Sequence, residues 1–420
     1  MNSYNQKLFL HPIKILLVFL IFTEVLFFVG PIKYDIRNPL IMVLCFVVLN
    51  LSLFWGYKFG VKHSRCTTYH IKENSVKVLL AIGLFLNIEC MNVTWATHGM
   101  SFSFENLLFA IINPGDAYSG EATAPVNTNV ITGIFLTPIR WAVIPLGVYY
   151  WKRLSKLFKF LVILTSLVYL FTWLGIGTRK GLMDIILLFY FCVIAINSSF
   201  LSDPSLNRKL KLYAFSALIL FLFFFIYSNA SRSGLSDLNE ISQMLNRDHR
   251  EFYVKHCSPN TLAALSEITN YLCQGYYALN LSLSEIGIIP PTIGGSSMAM
   301  WNYLDRFFGF NPMPNTYMSI LDSFYGIDTY VNWHTIYLWI ANDVTFIFVP
   351  LVIFLIGLYF GRVWKDSLNG INPWAYPVLG FMAIMVFYFF ANNQVLSFSL
   401  EAFTGCVLIY EYTRLRHKIR

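Results

Sequence analysis

The chain has 420 residues, of which 56% are apolar and only 12% charged, with a mean hydropathy of +0.57. A soluble chain carries about 25% charged residues, so a soluble fold of this length is excluded for want of charge to cover its core. In a soluble protein the net charge of +8 would point to nucleic acid. Here it is read as topology, because Lys and Arg accumulate in the cytoplasmic loops of membrane proteins, and no nucleic-acid partner is expected.

Continuous apolar runs of about twenty residues, rather than alternating strands of about ten, exclude a porin-like barrel. They predict an all-α, polytopic transmembrane helical bundle. Ten spans are expected, at about 13–30, 39–57, 76–95, 130–150, 158–176, 181–200, 210–229, 337–360, 373–391 and 395–412. The first run is too long for a signal-peptide core and no small-residue cleavage site follows it, so it is read as an uncleaved span. With the N-terminus inside, twenty of the 30 Lys and Arg fall on the inner side, and the outer loop 96–129 has none. Both termini are therefore expected in the cytoplasm. The chain divides into spans one to seven (1–229), a large outer loop (230–336), and spans eight to ten with a basic tail (337–420). No internal repeat supports an inverted-repeat transporter. Seven scattered cysteines, with no Cys/His cluster at zinc spacing, give no metal site, and no cofactor is expected.

Several polar residues in chain order need an explanation. Arg140, beside Pro138 in the fourth span, costs a few kcal/mol at that depth and is either an anion ligand or half of a structural pair with Glu89. Arg179 and Lys180 occupy the short outer turn Gly175–Gly181, against the positive-inside trend. Cations between glycines suit an anion at the outer surface, such as a lipid diphosphate; interfacial snorkelling is the plain alternative. Arg232, just past the seventh span, is expected at the same depth.

The outer loop opens polar and then turns amphipathic. Leu262, Leu265, Ile268 and Leu272 recur at helical spacing, and Met298–Phe310 is expected to lie on the outer face of the membrane. A helix from about Asn260 would hold Cys257 and Cys273 roughly 20 Å apart, too far for a disulfide. Glu285 and Asp322 are loop carboxylates able to take a proton. His334 stands where the chain re-enters the membrane, as a proton acceptor or a polar aromatic anchor. Asn342 and Asp343 follow two turns later and are expected to face a polar cavity.

Three stretches also carry a family resemblance. Gly177-Thr178-Arg179-Lys180-Gly181, Tyr271-Leu272-Cys273-Gln274-Gly275-Tyr276-Tyr277, and Trp333-His334-Thr335 through Asn342-Asp343 resemble, in order and spacing, segments of the Wzy-type O-antigen polymerases. Arg179 and His334 also match positions of the related O-antigen ligases, although Thr335 stands where those often have Asn. The resemblance implies a glycosyltransferase of the bacterial inner membrane. Such an enzyme moves a growing glycan from undecaprenyl diphosphate onto the next lipid-linked repeat unit. Donor and acceptor are both undecaprenyl-diphosphate-linked oligosaccharides, and a chain-length regulator belongs among the partners. With such a substrate, Arg179, Lys180, Arg232 and Arg140 are the candidates for the diphosphate, and His334, Glu285 or Asp322 for the base; the resemblance itself matches Arg179 and His334. It places Gln274, Tyr276, Tyr277, Asn342 and Asp343 around the substrate. A flippase for lipid-linked sugar and an O-antigen ligase are the alternatives.

The charge pattern generates a direct test. Reporter fusions at Ser205 and Asn260 should read inside and outside respectively, and the opposite pattern would overturn the topology.

Overall fold

The computed structural model describes residues 8–64, 68–114, 117, 130–197, 212, 216 and 248–416. The described residues are helical throughout, with one isolated bridge between Ile32 and His249. The helices are α1 (His11–Val29), α2 (Pro39–His63), α3 (Glu73–Thr97), α4 (Phe104–Ile112), α5 (Val130–Tyr150), α6 (Lys156–Gly175) and α7 (Lys180–Ile196). After these come α8 (Glu251–His256), α9 (Pro259–Leu281), α10 (Met298–Phe308), α11 (Tyr317–Tyr325), α12 (Ile336–Asn369), α13 (Ala375–Phe387), α14 (Gln394–Phe398) and α15 (Leu400–Arg416). The expected span 210–229 and Arg232 lie outside the described residues.

Five helices, α1, α2, α3, α6 and α12, are long and apolar enough to cross a bilayer. The others differ from expectation in instructive ways. The stretch 373–391 becomes the 13-residue α13 followed by a 3-10 turn, Tyr388–Phe390, and 395–412 is broken at Ser399 into α14 and α15. The amides of Asn392, Asn393 and Gln394 accompany the break; all three side chains are buried, where they need partners that an unbroken helix on lipid would not give.

The most extensive helix pairing among the described residues joins α2 and α12. A Cβ on Gly56 or Gly60 would lie 2.0 Å from the carbonyl oxygens of Phe354 or Leu358. One on Gly357 or Gly361 would lie 2.4 and 2.1 Å from those of Leu53 and Tyr57. Each helix thus carries two glycines four residues apart, set into the other's backbone, as membrane helices require when packing must replace hydrophobic drive.

α12 is not one straight rod. Thr345 takes φ +62°, ψ 162°, so Ile336–Val344 and the remainder are two helical pieces across a kink. A β-branched residue enters that region only at a cost of about 1–3 kcal/mol.

α9 reverses the expected amphipathicity. Leu262, Leu265, Ile268 and Leu272 are only half-buried, while Ala263, Ser266, Thr269, Cys273 and Tyr276 are buried. The small face lies against α1: Cys273 Sγ points to the Thr23 carbonyl at 3.6 Å, and a Cβ on Gly30 would touch Thr269. A helix buried among apolar neighbours gains more from close small-residue contact than from facing its leucines inward. Cys273 and Cys257 are both free thiols. Tyr276, Trp301, Tyr317 and Leu321 belong to the same hydrophobic core as α1, α2, α12 and α13, so the segment 248–335 is built into the bundle rather than set upon it.

The end of the bundle where α2 and α12 finish is stitched by buried Asp366, which accepts from Ser64 Oγ (2.6 Å) and Tyr410 OH (2.5 Å). The α2–α12 contact is the test of this fold. Gly361→Ala should force the helices apart and destabilise the detergent-solubilised protein by about 1–3 kcal/mol. Val43→Ala, on the exposed face of α2, should leave the melting temperature within error. Equal melting temperatures for the two variants would contradict the packing.

Candidate functional site

The turn from α6 to α7 is shaped by three glycines with different tasks. Gly177 takes φ +66°, the left-handed region that favours glycine. Gly175 and Gly181 make room for indoles instead of a ligand: a Cβ on them would lie 1.9 Å from the Trp95 ring and 2.2 Å from that of Trp173. Arg179 is buried at the N-cap of α7. Lys180 Nζ stands 2.6 Å from Asp184 Oδ2, one turn further on, and over the Trp173 ring at 5.1 Å. Its charge is already answered by Asp184.

Asp184 is itself buried. Its Oδ2 also accepts from Tyr169 OH (3.2 Å), and its Oδ1 has no hydrogen-bond partner. Arg140 donates to Cys90 Sγ and lies near enough to Tyr169 for its charge to act there. The expected pair with Glu89 does not form, because α3 turns Cys90 toward α5 and leaves Glu89 exposed.

His334 sits immediately before α12, whose N-cap is Thr335: its Oγ1 accepts from Leu338 N–H at 3.3 Å. The backbone of His334 is clamped on both sides by Asn392. The His334 N–H donates to Asn392 Oδ1 (2.9 Å), and its carbonyl accepts from Asn392 N–H (2.5 Å). Asn392 holds φ +59° and also receives Trp339 Nε1–H at 3.2 Å. Gly275 of α9 presses on the same spot, where a Cβ would come within 2.6 Å of the Phe390 carbonyl oxygen and 3.0 Å of Thr335 N. His334 is fully buried, and among the described residues neither ring nitrogen has a hydrogen-bond partner. Burial pushes the imidazole down to about 4, with the Asp328 charge pulling the other way. The ring is therefore neutral at neutral pH and holds a free lone pair.

Aromatic side chains bridge the two parts. Tyr388 lies within electrostatic reach of Asp184 and Tyr271, and its ring is 6.1 Å from Phe390. Tyr271 contacts Phe390 at 6.4 Å and Trp333 at 5.7 Å, and Trp333 precedes His334.

The remaining candidates fall elsewhere. Tyr276 is a core residue: its hydroxyl pairs with Thr23 Oγ1 at 2.8 Å, and its ring packs on Phe27 and Phe46. Gln274 is half-buried on α9, and Tyr277 lies 5.6 Å from Tyr34. Asn342 is fully buried and spends its groups on structure. Its Oδ1 accepts from Tyr317 N–H (2.9 Å), and its Nδ2 donates to the Gly295 carbonyl (3.0 Å). Asp343 accepts from Gly295 N–H (2.7 Å) and Ser296 N–H (3.2 Å). Glu285 is exposed, 3.5 Å from Arg37 Nε, and Asp322 is exposed on α11. No hydrogen bond or ion pair among the described residues ties either carboxylate to His334 or Arg179. Sequence reasoning missed Asn392, although three consecutive amides between two apolar runs were the signal for it.

Compared with known proteins, the chain matches no family model, no curated sequence and no solved structure.

The buried imidazole has a consequence for stability. Its pKa is lowered in the folded state, from 6.5 to about 4, so the unfolded chain takes the proton first. Stability is complete above about pH 6.5 and falls as the pH drops toward about 4, by at most ~3 kcal/mol. His334→Phe, which cannot titrate, should lose less melting temperature than the wild type between about pH 7 and pH 4.5. Parallel slopes would mean that the imidazole does not titrate in a buried site.

Proposed function

We propose that the protein is an O-antigen polymerase of the bacterial inner membrane. It transfers a growing glycan from undecaprenyl diphosphate to the non-reducing end of the next lipid-linked repeat unit. On this reading the chain crosses the membrane ten times with both termini in the cytoplasm, and the large loop faces the periplasm. The observation that supports the proposal is a buried imidazole at His334 whose ring has no hydrogen-bond partner among the described residues, linked through Trp333, Tyr271, Phe390 and Tyr388 toward Asp184 of the turn that carries Arg179 and Lys180.

The chemistry divides between them. The acceptor hydroxyl attacks the anomeric carbon as the bond from that carbon to the diphosphate oxygen breaks. The departing diphosphate keeps the bonding electrons, and Arg179 stabilises the charge in a site of low dielectric. The hydroxyl proton passes to a ring nitrogen of His334. In the empty site His334 is a weak base, because burial disfavours its cation; the arriving diphosphate reverses that by supplying a nearby negative charge. The leaving group is good without protonation, so one base suffices and Glu285 and Asp322 need not act.

Two variants test the assignment in cells that display the surface glycan. Arg179→Ala should lower polymerisation by ~10²–10³-fold at normal membrane levels, leaving single-repeat glycan. Full-length ladders would refute the diphosphate role. A complete absence of surface glycan would favour a ligase, and a block in export a flippase. His334→Gln, which hydrogen-bonds but takes no proton, should behave like His334→Ala; ladders from the Gln variant would remove His334 from the chemistry.

A further inference from the structure

A cavity opens beside the His334 end of the candidate site, lined in part by Ile336 and Asn393, close neighbours in the chain of His334 and Asn392. On both sides of the kink at Thr345, α12 lines, with α13, α14 and α15, a partly open cavity of about 370 Å³, within the size range of ligand pockets. Its wall is apolar, built by Ile340, Val352 and Ile356 of α12, Met382 and Met385 of α13, and Phe403 of α15. Its polar rim is made by Ser296, Asp343 and Asn393.

The rim has a definite hydrogen-bonding sense. Asn393 is fully buried, and its Nδ2 donates to the Ser296 carbonyl at 2.9 Å. That bond fixes which way the amide faces, and leaves Oδ1 as a buried acceptor without a partner. Beside it stands the Asp343 carboxylate, held by the Gly295 and Ser296 N–H groups. No Lys or Arg lines the cavity. An unmet buried acceptor costs about 1–3 kcal/mol, so the natural guest brings a donor. Next to a carboxylate, a cationic donor is favoured over a neutral one, and an anionic headgroup is repelled.

α12 is apolar enough to cross a bilayer, so the medium from which this cavity fills is lipid. We propose that it is a binding site for an aminophospholipid: one acyl chain lies between α12, α13 and α15, and the ammonium headgroup donates to Asn393 Oδ1 and Asp343. The lipid is a resident of the fold, distinct from the glycan carrier, whose diphosphate would meet a carboxylate and no cation here. The site stands whether or not the chain transfers sugars.

Native mass spectrometry of the purified full chain, exposed in turn to phosphatidylethanolamine, phosphatidylglycerol and undecaprenyl phosphate, tests it. Phosphatidylethanolamine should be retained about tenfold over either anionic lipid. Ile356→Trp, which fills the cavity, should abolish that retention. Asn393→Leu should erase the headgroup preference, and Asp343→Asn, which removes the neighbouring charge, should reduce it. Equal retention of phosphatidylglycerol, preference for undecaprenyl phosphate, or undiminished binding by Ile356→Trp would each overturn the proposal. If the Leu variant fails to fold, Asp343→Asn decides: an undiminished preference there overturns the headgroup assignment.

Discussion

The architecture depends on how closely α2 and α12 approach. Between membrane helices there is no water to expel, so association rests on contact distance and on weak polar contacts between backbones. Gly56 and Gly60 against Gly357 and Gly361 provide that distance, each replacing a side chain with the neighbour's carbonyl. The contact fixes the lower part of α12 on α2. The upper part then departs at Thr345, in a conformation that costs a β-branched residue energy. Asn342 and Asp343 offset that cost through hydrogen bonds to Tyr317, Gly295 and Ser296. The break directs those two residues into structure on one side, and leaves His334 and Thr335 at the head of the helix.

The charge arrangement follows the same economy. A buried cation in an apolar bundle must be answered or used. Lys180 is answered by Asp184, and Arg140 sits by the Cys90 sulfur and the Tyr169 ring. His334 escapes the problem by remaining neutral. Its backbone is held twice by Asn392, yet its ring touches no hydrogen-bonding group. A buried ring left unsatisfied while its main chain is fixed calls for an explanation, and the proposed one is the arriving acceptor hydroxyl.

Much of this was legible in the sequence. Continuous apolar runs fixed the helical class, since a chain in lipid must satisfy its own backbone, and the positions of α1, α3, α6 and α12 follow those runs to within a few residues except at the far end of α12. The exceptional residues were visible too, because Arg179, Lys180 and His334 are polar where apolar residues are the rule. Helix length at α2 and the break at Ser399 were not, since both depend on partners distant in the chain.

What the sequence determined by itself is therefore the solvent of the fold, its helices, and which polar groups lack a local reason to exist. Only the tertiary structure decided what each of those groups does. Tyr276 and Asn342 carry the same sequence promise as His334, yet one is packed into the core against Thr23 and the other is consumed by Tyr317 and Gly295. The leucine stripe of α9 promised a buried face, but its small residues are the ones buried beside α1. The physical reason is common to all three. Hydrophobicity and charge are properties of a residue, whereas hydrogen-bond satisfaction and closest approach belong to pairs. The partners here lie tens to hundreds of residues away, brought together by packing that no local pattern encodes.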